Sequence, residues 1–163
     1  MIKIAYIGAG SIQFGPIIVQ DILLSERLCE DGLEFFLMDI ELSHLDHVYK
    51  HAEYVNEKLK RNAKIIKTIN RKEAINNSNF VICALEKNRN VYWSQDFHIP
   101  RKYGFKQVYG ENGGVGSLFH ALRNIKLIVD LAKDMEKLCP KSILLNFSNP
   151  EHKICDAVSR LTS

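Results

Sequence analysis

The sequence predicts an α/β fold built on a doubly wound parallel sheet, and three observations carry that prediction. An apolar run from Ile2 to Ile7 ends at a glycine, a second run from Leu33 to Met38 ends at an acid, and a helical apolar pattern lies between them. Runs that are apolar throughout, rather than alternating, suit strands buried on both faces. Strand, turn, helix and strand in that order make a βαβ unit, for which a right-handed crossover is expected.

The elements follow in turn. Ile17, Ile18, Ile22 and Leu23 recur at helical spacing and supply the first crossover helix. Leu42 to Leu59 is polar and helical, and Ile65 to Ile69 and Phe80 to Leu85 are two further strand-like runs, with Asn76, Asn77 and Ser78 marking the turn between them. Tyr92 to Tyr103 reads as a helix that Pro100 interrupts. Ser117 to Leu138 reads as a long amphipathic helix with Leu118, Leu122, Ile125, Ile128 and Leu131 on one side; Pro140 closes it, and Ile143 to Phe147 forms a fifth strand. Strands alternating with helices, without repeats or a linker, fit a Rossmann-type architecture.

Composition narrows the function class. The 163 residues have the length of one domain and can bury a core without disulfides or metals; 46% are hydrophobic and 25% charged, as in globular proteins. A net charge of +3, with lysines interleaved among acids, is no nucleic-acid footprint. The opening MIKIAYIGAG is too short an apolar run for a secretory signal, and no stretch approaches the roughly 20 apolar residues of a membrane span, so a soluble cytoplasmic protein without membrane or nucleic-acid partners is expected. Cys29, Cys83, Cys139 and Cys155 are widely spaced, without a CxxC pair, and are expected to be reduced and mostly buried.

Three constellations carry chemistry. Gly8, Gly10 and Ser11 follow the first strand, where Gly8 allows a tight turn and Gly10 lets the backbone approach a pyrophosphate at the helix amino terminus. Gln13 occupies the place of the third glycine of GxGxxG, and Gly15 stands two residues later. Asp39, further along than the usual ~20 residues, ends the second strand, where a carboxylate accepts both ribose hydroxyls and repels a 2′-phosphate; this favours NAD over NADP. The second constellation is the glycine-rich stretch from Tyr109 to Ser117, containing Glu111 and Asn112, which is either a close wrap around a polar ligand or a flexible connector. The third is Asn146-Phe147-Ser148-Asn149-Pro150, either a ligand site beyond the fifth strand or a turn, with Asn149 able to donate and accept toward a sugar or hydroxy-acid hydroxyl.

Taken in order, IGAGS, LMD ending at Asp39, Asp96 with IPRKYG, GENGGVGS, ALRNI from Ala121 and NFSNP resemble glycoside hydrolase family 4 over essentially the whole chain. The resemblance implies the amino-terminal domain of that family, which holds α-glucosidases, 6-phospho-glucosidases, α-galactosidases and α-galacturonidases and shares its fold with lactate and malate dehydrogenases. It implies glycoside cleavage in which NAD takes hydride from C3, a base removes the C2 proton, the aglycone is eliminated, and water and hydride are returned, with a divalent metal, usually manganese, polarising the C3 carbonyl. By position, Gly8, Gly10, Ser11, Ile12 and Asp39 would hold NAD, Asn149 would bind the sugar, and Glu111 would support the catalytic tyrosine.

The chain also departs from the family pattern. Val115 and Ser117 replace a proline and a glycine common in the loop, and Glu86 stands where phospho-glycosidases carry an arginine. An unphosphorylated sugar is therefore expected, a galactoside, or a uronide if another cation is supplied. The metal-binding cysteine and histidine and the tyrosine base of relatives would fall beyond Ser163, so the 163 residues alone are expected to fold and bind NAD without hydrolysing glycosides, the second domain being absent. The apolar surface this leaves from Ser117 onward and after Pro150 favours a homo-oligomer.

His152 with Cys155 do not match the family's metal ligands, no metal site is assigned, and His44, His47 and His51 read as a solvated helix face. Arg123 and the single Trp93 are left open between the substrate cleft and a structural role. Two other functions stand beside the glycosidase: a hydroxy-acid dehydrogenase of the same superfamily, lacking here a catalytic histidine and substrate arginine, and a non-enzymatic nucleotide-binding remnant.

Overall fold

A computed structural model describes residues 1–107 and 113–163. It divides into two compact units, the first made of Met1–Ala84 with Lys137–Leu145, the second of Leu85–Glu136 with Asn146–Ser163.

The first unit contains the sheet. Strands β1 (Ile2–Ile7), β2 (Leu33–Met38), β3 (Ala63–Thr68), β4 (Phe80–Cys83) and β5 (Ile143–Asn146, its last residue in the second unit) lie in the order β3-β2-β1-β4-β5. The pairings of β1 with β2 and β4, and of β2 with β3, are parallel, and Ile7 stands opposite Met38 on one side and Cys83 on the other. The order turns back between β1 and β4, the switch point at which open α/β sheets bind ligands. The doubly wound fold expected from sequence is therefore the fold observed. Helices α1 (Gly15–Leu24), α2 (Glu26–Glu30), α3 (Leu42–Lys58) and α4 (Arg71–Ile75) complete the unit. Tyr6, Leu23, Phe35, Leu37 and Leu45 form its wholly buried centre, joined by Ile18, Val19 and Val48.

Two local details add to the expectations. Ile18, Val19 and Leu23 are the buried side of α1, whereas Ile17 faces solvent. Asn76 and Asn77 form the expected turn before β4, and ahead of it stands α4, nucleated by Asn70, whose side chain accepts from the backbone N–H groups of Lys72 and Glu73.

The second unit is helical, with α5 (Arg89–Lys102), α6 (Gly114–Leu138, its last two residues in the first unit) and α7 (Glu151–Leu161). Pro100 does not interrupt α5 but lies inside its last turn. The carbonyl that its missing N–H would have served belongs to Asp96, and the Gln107 side-chain amide donates to that oxygen at 3.5 Å. In α6 the expected apolar stripe is wrong in its first half. Leu118 and Leu122 are 53% and 62% exposed, while Ser117, His120, Ala121 and Asn124 are buried on the face that continues through Ile128 and Leu131. Successive three-residue steps fall about 60° short of a turn, so a stripe running from Leu118 through Ile125 to Leu131 winds around the helix instead of following one face. No described helix is long and apolar enough to cross a membrane.

Candidate functional site

The turn after β1 is anchored to the end of β2. Gly8 has φ +87°, a conformation that side chains other than glycine's rarely adopt, and the N–H groups of Gly8 and Ala9 both donate to the Met38 carbonyl, at 2.9 and 3.0 Å. The chain then closes on itself: Ser11 N–H donates to the Gly8 carbonyl, and Gly15 N–H to the Ser11 carbonyl at 2.7 Å. Helix α1 begins only at Gly15, so the turn is longer than the spacing of GxGxxG suggests. Pro16 fits this start, since a first-turn residue needs no N–H.

Asp39 is the centre of the arrangement. Its Oδ2 accepts from Gly10 N–H at 2.9 Å and its Oδ1 from Glu41 N–H at 3.0 Å. Each oxygen retains a lone pair for a further donor, which is what a ribose diol requires. A Cβ on Gly10 would stand 2.9 Å from the Asp39 carboxyl and 2.9 Å from the His44 Cβ, so glycine here keeps the carboxylate and the turn in register. Beneath it, burial above all, with the Asp39 charge adding, pushes the Tyr6 phenol well above its ordinary range. Tyr6 is therefore a neutral core residue whose hydroxyl has no partner among the described residues.

Gly15 performs the task that the sequence left without an owner when Gln13 took the third glycine's place. A Cβ there would meet the Ala9 carbonyl oxygen at 2.5 Å and Val48 Cγ2 at 2.9 Å, so only a glycine lets α1 pack this closely on the turn and on α3. Ile12 is 81% exposed, and the Ser11 hydroxyl accepts from Phe14 N–H at 3.2 Å. The structure thus gathers Gly8, Gly10, Ser11 and Asp39 into one turn, with Ile12 on its outside.

Asn149 belongs to the second unit. Asn124 Nδ2 donates to the Asn149 carbonyl at 3.2 Å, and Asn124 Oδ1 accepts from Lys87 N–H at 3.3 Å, so one buried amide ties the Asn149 segment to the segment after Leu85. The Ser148 hydroxyl accepts from Leu85 N–H at 2.8 Å, and Asn146 holds Ser148 from both sides of its own amide. The NFSNP motif is thus pinned by hydrogen bonds, leaving the half-buried Asn149 on a fixed backbone. Glu111, with Tyr109, Gly110 and Asn112, lies outside the described residues.

A polar cluster that hydropathy does not reveal also lies in the second unit. His120 is 1% exposed; its Nδ1 is 3.4 Å from Asp96 Oδ2 and its Nε2 is 3.8 Å from Glu86 Oε1. Asp96, itself buried, is ion-paired with Arg123, and Glu86 with Arg89. His120 thus stands between two carboxylates, each of which has an arginine partner of its own. Arg123 also covers the Tyr92 ring at 4.9 Å. The only sequence trace of this cluster is the three-residue spacing of His120 and Arg123, which sets both on one side of α6.

Cys29, Cys83 and Cys139 are buried and Cys155 is exposed, all as free thiols. Among the described residues no group of three His, Cys, Asp or Glu side chains is placed to hold a metal.

Known proteins bear on this geometry. The model of the family 4 glycosyl hydrolases matches residues 3–163. An α-glucosidase of Erwinia rhapontici is 40% identical over 97% of this chain and 35% of its own length. An α-galactosidase of Bacillus subtilis is 36% identical over 100% of this chain and 38% of its own. The 6-phospho-β-glucosidase of Thermotoga maritima, solved with NAD and glucose-6-phosphate, superimposes with a TM-score of 0.75 at 26% identity, over 91% of this chain and 34% of that one. The chain thus spans little more than a third of the length of the curated relatives it matches. With its glycine turn, its Asp39 and a match from residue 3 to residue 163, this chain belongs to glycosyl hydrolase family 4.

Proposed function

We propose that this chain is the NAD-binding part of a glycosidase acting on an unphosphorylated sugar, an α-glucoside or α-galactoside. The observation that carries the cofactor is the contact of Gly10 N–H with Asp39 at 2.9 Å, in a space that a Cβ at Gly10 would fill. The residues fit the group: Asp39 would accept the ribose hydroxyls of the adenosine, Gly8 and Gly10 would admit the pyrophosphate, and Ser11 and Ile12 would border it. The Thermotoga maritima relative, with NAD in its crystal, supports the assignment. When bound, NAD supplies a hydride acceptor that can return what it takes. The chain's own contribution is orientation: Asp39 fixes the adenosine end, and the pinned backbone of Asn149 holds an amide ready for a sugar hydroxyl. Glu111 would support a base in the same reaction.

Glu86 supports an uncharged substrate position. Its carboxylate, balanced by Arg89, would oppose a sugar 6-phosphate where an arginine would clasp one. The α-glucosidase and α-galactosidase relatives are in keeping with this. For manganese the described residues show no ligand set.

The 163 residues are proposed to bind NAD and to cleave no glycoside unaided. Exposed Leu118, Phe119 and Leu122 on α6 support self-association, as a homo-oligomer. The test is turnover of nitrophenyl α-glucosides and α-galactosides, with and without 6-phosphate, in the presence of NAD and manganese. The expected result is NAD binding without turnover by the chain alone, and turnover of the unphosphorylated substrate when the carboxyl-terminal portion of a close relative is added. Cleavage confined to the 6-phosphorylated substrates would overturn the reading of Glu86, and turnover by the chain alone would overturn the division of labour.

A further inference from the structure

The three histidines that the sequence sets on one solvated face of α3 are not equivalent in the structure. His44 and His47 are exposed, whereas His51 is half-buried, its Nε2 lying 3.2 Å from the side-chain amide nitrogen of Gln20 on α1. We propose that His47, His51 and Gln20 form a binding site for a divalent transition-metal ion of the zinc, nickel and copper class, bridging α1 and α3 within the first unit.

The spacing supplies two ligands. His47 and His51 stand four residues apart inside a 17-residue helix, which sets their side chains one above the other with Cβ atoms about 5–6 Å apart. Two imidazoles one helical turn apart reach a single ion, as they do in the H-E-x-x-H helices of zinc hydrolases. Here Val48, a buried core residue, occupies the place of the glutamate that serves those helices as a base. The pair is therefore equipped to hold an ion and not to hydrolyse anything with it.

Gln20 supplies the third ligand. An amide N–H that donates to His51 Nε2 leaves the ring proton on Nδ1, and the lone pair on Nε2 is the one a metal takes. A half turn of the amide exchanges its nitrogen for its oxygen without changing its shape, and so presents a carbonyl oxygen to the same ion. Two ligand atoms that each lie ~2.0–2.1 Å from a tetrahedral ion are about 3.3 Å apart, so the observed 3.2 Å needs no movement of the backbone. Gln20 and His47 are both exposed, which opens the site to solvent and leaves the fourth position to water. Imidazole nitrogens suit zinc, nickel and copper, while manganese prefers carboxylates, carbonyls and water, so the site discriminates against manganese.

The other histidine at helical spacing from a metal ligand is His152, three residues before the exposed Cys155. Cys155→Ser removes that rival pair, and the titrations are made in this background. Zinc chloride, nickel chloride and manganese chloride should each be titrated calorimetrically into the chain, and its melting temperature followed with and without metal. The expected result is saturable binding of one zinc or nickel ion, with a rise in melting temperature because the ion binds the folded chain, and binding of manganese at least tenfold weaker. His47→Ala and His51→Ala should each weaken zinc and nickel tenfold or more and abolish the rise, and Gln20→Ala should weaken them by a smaller factor. His47 is exposed, so His47→Ala should melt like its parent when metal is left out, which separates loss of a ligand from loss of the fold. No saturable binding of zinc or nickel, binding indifferent to His47 and His51, or manganese bound as tightly as zinc would each overturn the site.

Discussion

The two units of this chain bury different chemistry. The first encloses Tyr6, Phe35, Leu37 and Leu45 around a parallel sheet, and its glycine turn excludes even one extra carbon. In the second, Asp96, Ser117, His120, Asn124 and Ser148 are buried, whereas the first buries Ser78 and the Tyr6 hydroxyl. A core of apolar side chains is non-directional and tolerates exchange, whereas a buried polar network specifies its geometry and is costly when one member is lost. The lesson is that the two halves should fail differently when mutated: one by overfilling, the other by losing a charge.

Removing a charge from the second unit gives the largest expected effect. Asp96→Ala leaves Arg123 and His120 without their shared acceptor and should cost about 3 kcal/mol, read as the shift of a urea unfolding midpoint. Tolerance of Asp96→Ala would mean that the second unit is held by its apolar contacts after all.

Overfilling the first unit comes next. Gly15→Ala places a methyl 2.5 Å from the Ala9 carbonyl oxygen, a backbone atom that cannot swing aside, and should cost about 2 kcal/mol and weaken NAD binding with it. Gly113→Ala is the control, because nothing among the described residues lies within 4 Å of its Cβ position, and no measurable loss is expected. Equal behaviour of the two variants would erase the distinction drawn for the turn.

The smallest effect sharpens the comparison along one helix. Leu118→Ser and Leu122→Ser change side chains on the exposed side of α6 and should alter stability by no more than about 0.5 kcal/mol while shifting the chain toward monomer in sedimentation. A loss of several kcal/mol would show that the apolar stripe read from the sequence is the buried face.

What the sequence made legible follows the same division. Fully buried parallel strands announce themselves as unbroken apolar runs, so Ile2 to Ile7 and Leu33 to Met38 were readable to the residue. So was the place of Asp39 directly after the second strand, though its hold on Gly10 N–H was not. Gly15 was visible as a residue but not in its role, since only the approach of the Ala9 carbonyl shows why it must lack a side chain. In the second unit hydropathy pointed to Leu118 and Leu122, while the buried side is set by His120 and Asn124. Their hydrogen bonds and ion pairs reach Asp96, Asn149 and Lys87, partners far off in the chain that no local pattern encodes. Pro100 misled for a related reason: the acceptor it orphans is met by Gln107 from outside the helix.

The central claim, that the turn around Asp39 is an NAD site, is tested most directly by calorimetric titration of NAD and NADP into the wild-type chain and Asp39→Ala. Loss of one or two hydrogen bonds to a charged acceptor, at about 1.5–3 kcal/mol each, predicts tenfold or greater weakening of NAD by the substitution. Wild type should prefer NAD over NADP, and Asp39→Ala should narrow that preference by removing the like-charge repulsion of the 2′-phosphate. Equal affinity of the wild-type chain for both cofactors, or NAD binding indifferent to Asp39, would contradict the account.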